Sequence, residues 1–339
     1  MKFSKSTFIS DITTDRQRKA IPLLTSTGID LIGALSGDVY KSGKLQADCI
    51  EALVKKFPPD AIVTFMDLSV EAEAFGCEIA FSDDDIPTVS RAAVSNVDDI
   101  ENLKIPEVGS MRTSQTIECA EFCAQMFAQP VFGGIIGPYS LAGRLADMTE
   151  MMMMTAAEPE AAHKLLLKVT SFLKDYLLAL KQTGIAGVVI AEPAAGLLSP
   201  EMCKGFSADY IGPMIEQVKD DSFMVILHNC GYVEKQIEAM LSANPDALHI
   251  GNSVDILDIL PQVPLEVPVM GNLDPVGVFR YSDAATVYEA TASLLVLTAD
   301  YPNFVLSTGC DVPSGVPQEN IAAFYKACND YNKKFNITK

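Results

Sequence analysis

FMVILHNC, residues 223–230, is five apolar residues followed by His-Asn-Cys. A continuous apolar run of this length, closed by polar residues, reads as a strand buried on both faces. Six further runs share the form: AIVTFMD (61–67), PVFGGIIGP (130–138), AGVVIAEP (186–193), DALHIGN (246–252), VPVMGNLD (267–274) and NFVLSTGCD (303–311), with IPLLTSTG (21–28) as the candidate for an eighth. Helix-like stretches alternate with them. In SPEMCKGFSADYIGPMIEQVK (199–219), Ser199 suits the N-cap and Pro200 the first helical position. Met202, Phe206, Tyr210, Met214 and Val218 then recur at helical spacing. EPEAAHKLLLKVTSFLKDYLLALKQ (158–182) carries a dense apolar stripe, and SDAATVYEATASLLVLT (282–298) opens on a Ser-Asp cap. Strands alternating with helices pair in parallel through crossovers, and about eight such units predict an α/β fold of the closed (β/α)8 TIM-barrel kind. An open doubly wound sheet is the alternative. GGIIG at 133–137 lacks the glycine spacing that would favour it and reads as a tight turn.

The chain has 339 residues and is read as one barrel domain over 1–339, with an N-terminal extension and an irregular insertion near 78–116. Hydrophobic residues make up 49%, enough for a large core. The net charge is −19 with only six arginines, which argues against nucleic acid and against an anionic membrane face as partners. No run is long and apolar enough for a membrane span, and the N-terminus lacks the apolar stretch of a signal peptide, so a cytoplasmic protein with reduced thiols at its eight cysteines is expected. MMMM at 151–154 reads as a pliable core or rim helix, with a flexible surface for a bulky apolar ligand as the other reading.

The residues that close the runs are Asp67, Gly137-Pro138, Glu192, His228, Asn252, Asn272 and Cys310. Parallel barrel strands point one way, so these ends converge on the rim that carries barrel chemistry. His228 and Cys230 lie two apart and share a strand face. With Cys310 they form a Cys2His set with a free fourth position, the donor set of a catalytic zinc, and soft thiolates favour zinc over magnesium or calcium. The plain alternative is buried cysteine beside a strand end. Asp67 is read either as an acceptor of substrate N–H groups and mover of protons, or as a loop cap. Glu192 has the same two readings and could also fill the open zinc position. His249, inside DALHIG, is read as facing the barrel core, and His163 as exposed on a helix.

MGNLDP (270–275) resembles the GNLDP segment of uroporphyrinogen decarboxylases, and FMDLSVEAEAFGCEIAF (65–81) resembles their segment with the catalytic aspartate, at Asp67. That family folds as a (β/α)8 barrel. KAIPLLTSTGIDLIG lacks the family's arginine-rich grip on substrate carboxylates. LLTSTGIDLIG, DLSVEAEAFG, GPYSLAGRL and STGCDVPSGVP, together with His228-x-Cys230 and Cys310, are similar instead to the branch of zinc-dependent methylcobalamin:coenzyme M methyltransferases. That resemblance implies methyl transfer from methylcobalamin, or from a corrinoid on a partner corrinoid protein, to a small-molecule thiol such as coenzyme M that zinc activates. It implies metal ligation by His228, Cys230 and Cys310 and a catalytic role for Asp67; Glu192, as a strand-end carboxylate, is the second catalytic candidate, and Tyr139 and Asn272 are the candidate cofactor contacts. A tetrapyrrole decarboxylase and a non-catalytic corrinoid- or thiol-binding protein are the alternatives.

Overall fold

A computed structural model describes residues 3–336. Its nine strands are β1 (Ile62–Val63), β2 (Glu78–Ala80), β3 (Thr88–Arg91), β4 (Val131–Ile136), β5 (Gly187–Ala191), β6 (Met224–Asn229), β7 (Ala247–Ile250), β8 (Val269–Leu273) and β9 (Phe304–Thr308). Seven of them form one curled parallel sheet in the order β1-β4-β5-β6-β7-β8-β9, so each neighbour follows its predecessor in sequence. This is the order of a (β/α)8 barrel, with helices such as Pro159–Gln182 and Gln318–Asn336 packed outside.

The eighth position is taken by residues 19–23, without a regular strand. Ile21 N–H donates to Leu306 O at 2.9 Å and Leu306 N–H to Lys19 O at 3.0 Å, while on the other edge Asp60 N–H donates to Ala20 O at 3.1 Å. The candidate strand 21–28 stops there for a local reason. Pro22 has no N–H to give to a ladder. Beyond it the donors turn to side chains: Leu23 N–H to Thr308 Oγ1 and Thr25 N–H to Asp311 Oδ1. A helix, Thr27–Ile32, then begins inside the expected strand.

Side chains alternate across each strand. Met224 and Ile226 of β6, Met270 of β8 and Val305 of β9 fill the barrel interior with Ile21, Val63 and Phe132. Val225 and Leu227 face the helices. Phe8 and Ile12 of the first helix, Lys5–Thr14, join the interior cluster, and Phe3, Phe8 and Phe132 meet with ring centroids 5.7 to 6.2 Å apart. This aromatic group closes one end of the barrel and leaves the strand C-termini as the working end.

Three expectations are refined. Residues 78–116 hold regular structure, an antiparallel β2–β3 hairpin and a helix over Val97–Asn102. The helix capped by Ser199, whose Oγ accepts from Met202 N, passes through a π-helical turn at Lys204–Ala208 before continuing as Asp209–Val218. In the four-methionine run, on the helix Met148–Ala157, Met151 is fully buried while Met152 and Met153 are exposed.

Phe132→Ala should remove the centre of the aromatic closure and cost ~3–5 kcal/mol of stability. Denaturant titration checks it; a loss below ~1 kcal/mol would mean that Phe132 does not anchor the closed end.

Candidate metal centre

His228 shares the inward parity of Met224 and Ile226 and is 2% exposed at the end of β6. Cys230 follows at the same parity, and Cys310 lies just past β9. The three offer one ligand atom each, and these atoms all lie within 4.8 Å of one another. The expected trio is therefore brought together across four strands of the sheet. Of the eight cysteines, six are buried; Cys230 and Cys310 are the two that are half-exposed. Close backbone approach builds the corner, because a Cβ on Gly251 would sit 2.4 Å from the Cα of Cys230.

The thiols differ electrostatically. Burial pushes Cys49, Cys203 and Cys328 up to about 12. Cys230 is instead lowered to about 7 by its hydrogen bond with Cys310, and the same bond raises Cys310. The contact therefore makes Cys230 the more readily deprotonated thiol and Cys310 the one that keeps its hydrogen. A divalent cation in place of that proton would satisfy both. One imidazole and two facing thiols, half-open to the rim, fit zinc with a vacant coordination position.

Behind the trio the interior stays polar. His249, on β7 beside His228, is fully buried. Its Nδ1 lies 2.7 Å from Nδ1 of His228, and its Nε2 lies 3.0 Å from Oγ of Ser307. Burial, with His228 alongside, holds it well below the usual imidazole range. His249 faces inward as expected, whereas His163 is half-buried, stacked on Phe206 and bonded to the Tyr210 hydroxyl. Asp311, next to Cys310, accepts from Thr25 N, Thr25 Oγ1 and Ser26 Oγ and so ties the 25–26 turn to the site.

The carboxylates sit differently from the metal trio. The Asp67 side chain is nearly excluded from solvent and salt-bridged to Arg112, whose Nε also binds Glu73 at 2.7 Å and whose Nη2 donates to Ser69 Oγ at 2.8 Å. Ser69 N–H and Oγ–H donate to Asp67 as well. Arg112 was not singled out in the sequence, since it lies 45 residues away in a patternless stretch. Glu192 shares the outward parity of Val188 and Ile190, and so caps the helix Pro138–Ala146, accepting from Tyr139 N, Ser140 N and Ser140 Oγ. A Cβ on Gly137 would meet its Oε2 at 2.1 Å, so only glycine fits that turn. Burial raises the Glu192 carboxyl to about 7 despite these donors. Tyr139 is fully buried with its hydroxyl 3.1 Å from Thr155 Oγ1, turned to the helix layer. Half-buried Asn272 faces the rim and donates to Gly251 O and Val254 O.

A cavity of about 430 Å3 opens beside the same strand ends, between Leu68, Ser140, Arg144 and Pro193 and the hairpin residues Val89 and Ser90. A larger one, about 870 Å3, lies at the opposite end among Arg18, Lys19, Asp60 and Tyr325, remote from the trio. Among the described residues no helix is long and apolar enough to cross a membrane.

Residues 18–331 match the uroporphyrinogen decarboxylase (URO-D) family, and the chain belongs to that family. It is 26% identical over 304 residues to a methylcobamide:CoM methyltransferase of Methanosarcina acetivorans, covering 88% of each chain. It is 23% identical over 312 residues to a uroporphyrinogen decarboxylase of Legionella pneumophila, covering 88% of this chain and 87% of the other. A solved methyltransferase from Methanosarcina mazei superposes with a TM-score of 0.85 at 20% identity, over 97% of this chain and 99% of that one.

Because its folded-state carboxyl is raised above the ordinary 4.5 to about 7, Glu192 contributes stability that is full below pH 4.5 and is lost as pH rises through 7. Glu192→Gln should flatten this: between pH 5.5 and 8, the stability of the variant relative to wild type should rise by roughly 2 kcal/mol. Urea titrations across that range would show a constant difference if Glu192 were ionised throughout.

Proposed function

We propose that this member of the uroporphyrinogen decarboxylase family moves a methyl group from a methylated corrinoid, carried by a partner corrinoid protein or free as methylcobalamin, to a small-molecule thiol. The observation that carries the reading is the convergence of His228, Cys230 and Cys310, with all ligand atoms within 4.8 Å, at the open strand ends. Two methyltransferases among the relatives are named for coenzyme M, the methylcobamide:CoM enzyme and a methylated-thiol–coenzyme M enzyme of Methanosarcina mazei, which supports a thiol acceptor.

Zinc, when bound by this trio, supplies Lewis acidity that lowers the pKa of an incoming thiol while leaving its sulfur nucleophilic. The chain's own part is to hold the site. His228 is fixed from behind in the dry barrel interior, and the paired sulfurs of Cys230 and Cys310 face the mouth. In the transfer the thiolate sulfur forms a bond to the methyl carbon, and the cobalt–carbon bond breaks with both electrons left on cobalt, giving cobalt(I). The sulfur and cobalt must lie in line with the carbon, so the corrinoid face has to approach the rim.

A decarboxylase of the family would use the aspartate at position 67 toward its substrate. Here the Asp67 carboxylate is engaged by Arg112 and Ser69 and nearly excluded from solvent, 4% exposed at the side chain. That arrangement favours methyl transfer over decarboxylation and makes Asp67 a part of the wall.

Protein purified without chelator should hold about one zinc per chain, and Cys230→Ser and Cys310→Ser should each lose it. Anaerobic incubation of the zinc-loaded wild type with methylcobalamin and a panel of thiols, coenzyme M among them, should yield methylthioether and the cobalt(I) absorbance, and neither variant should do so. Absence of zinc from wild type after reconstitution under reducing conditions would sink the proposal.

A further inference from the structure

Three side chains run inward from the metal group as a single hydrogen-bonded line. Nδ1 of His228 lies 3.2 Å from the carbonyl oxygen of His249 and 2.7 Å from Nδ1 of the same residue. Nε2 of His249 lies 3.0 Å from Oγ of Ser307. Oγ of Ser307 donates to the carbonyl of Ile21 at 2.7 Å. His249 and Ser307 are both fully buried, so each of these contacts has to be satisfied without water from outside.

Two carbonyl oxygens, of Ile21 and His249, touch this line and only accept, and together they favour one placement of its protons, with the other side of His228 turned to Cys310. At the inner end, Ser307 must give its hydroxyl hydrogen to Ile21 and can then accept from Nε2–H of His249. A neutral imidazole with its proton on Nε2 has a lone pair on Nδ1. At the outer end, the carbonyl of His249 repels a lone pair on Nδ1 of His228 and attracts a hydrogen. Read from either end, Nδ1 of His228 carries the proton, and Nδ1 of His249 accepts it. The lone pair of His228 is then on Nε2, the nitrogen left to face Cys230 and Cys310.

We propose that His249, backed by Ser307, is a positioning pair that locks His228 in its Nδ1–H form and so presents Nε2 as the metal-binding nitrogen. The presentation to metal rests on the zinc reading above; the locked tautomer does not. The pair stands where a carboxylate or a water often supports a metal-ligating histidine, and such support is worth 10–100-fold in metal affinity. A neutral imidazole holds ring orientation as a carboxylate would, but adds no negative charge to a site that already carries two thiols. The line ends at Ile21, in the segment that closes the barrel, so the lock is complete only when residues 19–23 are docked against β9.

The chain has three histidines, so imidazole-15N-labelled protein gives a spectrum that can be assigned residue by residue. In metal-free wild type, two-bond 15N–1H correlations should show His228 protonated on Nδ1 and His249 on Nε2. His228 protonated on Nε2 would overturn the proposal outright. Zinc competition against a chromophoric chelator supplies the second readout. His249→Phe, which keeps the bulk and removes the acceptor, should weaken zinc by roughly 10–100-fold. His249→Gln, whose amide oxygen can accept and whose amide hydrogen can reach Ser307, should recover most of that loss. Equal zinc affinity in wild type and a folded His249→Phe protein would also overturn the proposal. Should the phenylalanine variant fail to fold, Ser307→Ala serves instead: it should let His249 sample both neutral forms and broaden the His228 signals, and unchanged signals would count against the lock. If wild type shows the expected tautomers but takes no zinc, the lock stands and the metal reading falls, so the two are separable.

Discussion

A strand turns its side chains alternately to its two faces, and in a closed barrel one face is a sealed interior. That two-residue period governs the whole working end of this protein. On β6 it sends Met224, Ile226 and then His228 inward, and on β7 it sends Ala247 and His249 the same way. Just past β5 the identical rule turns Glu192 outward, to a helix N-terminus where its carboxyl oxygens meet backbone N–H groups. Two residues that both end strands, both polar and both plausible for chemistry, are thus assigned to different sides of the wall by parity alone.

The interior end of the barrel carries a cost that its apolar middle does not. Buried polar groups must be hydrogen-bonded, and an unpaired ring nitrogen or hydroxyl would be costly there. His228, His249 and Ser307 meet that demand by facing one another, with Ile21 as the last acceptor. The segment that closes the barrel therefore has two physical roles. It supplies backbone pairing to β9 where Pro22 forbids a full strand, and it supplies the carbonyl that orders the polar line.

Charge is handled in the same spirit on the β1 side of the rim. Asp67, Glu73 and Arg112 are removed from water together, and Ser69 takes up the remaining lone pairs and hydrogens. Removing Arg112 would leave two carboxylates without their counter-charge, which is far costlier than never having built the group. Asp67 is here fixed by Arg112 and Ser69, while Cys230 and Cys310 across the rim remain half-open.

The sequence by itself determined the fold class and the meeting of His228, Cys230 and Cys310. Seven apolar runs closed by polar residues implied parallel strands, and the run ends implied one rim, so His228, Cys230 and Cys310 could be placed together although 80 residues separate the cysteines. Local chemistry was legible too, as in the Ser199 cap and the Asp283 cap of the helix Ala284–Leu297. The tertiary structure alone decided the partners. Arg112 reaches Asp67 through a helix-and-loop excursion with no periodic signature, Glu192 faces away from the mouth because β5 enters the wall in that register, and Tyr139 turns to Thr155 rather than to a ligand. His249 was visible as an inward residue, but its pairing depends on β6–β7 register, and Ser307 depends on closure of the sheet by residues 19–23. Periodicity reports which face a side chain takes; only the folded chain fixes what stands opposite it, because that is set by register and closure between segments far apart in sequence.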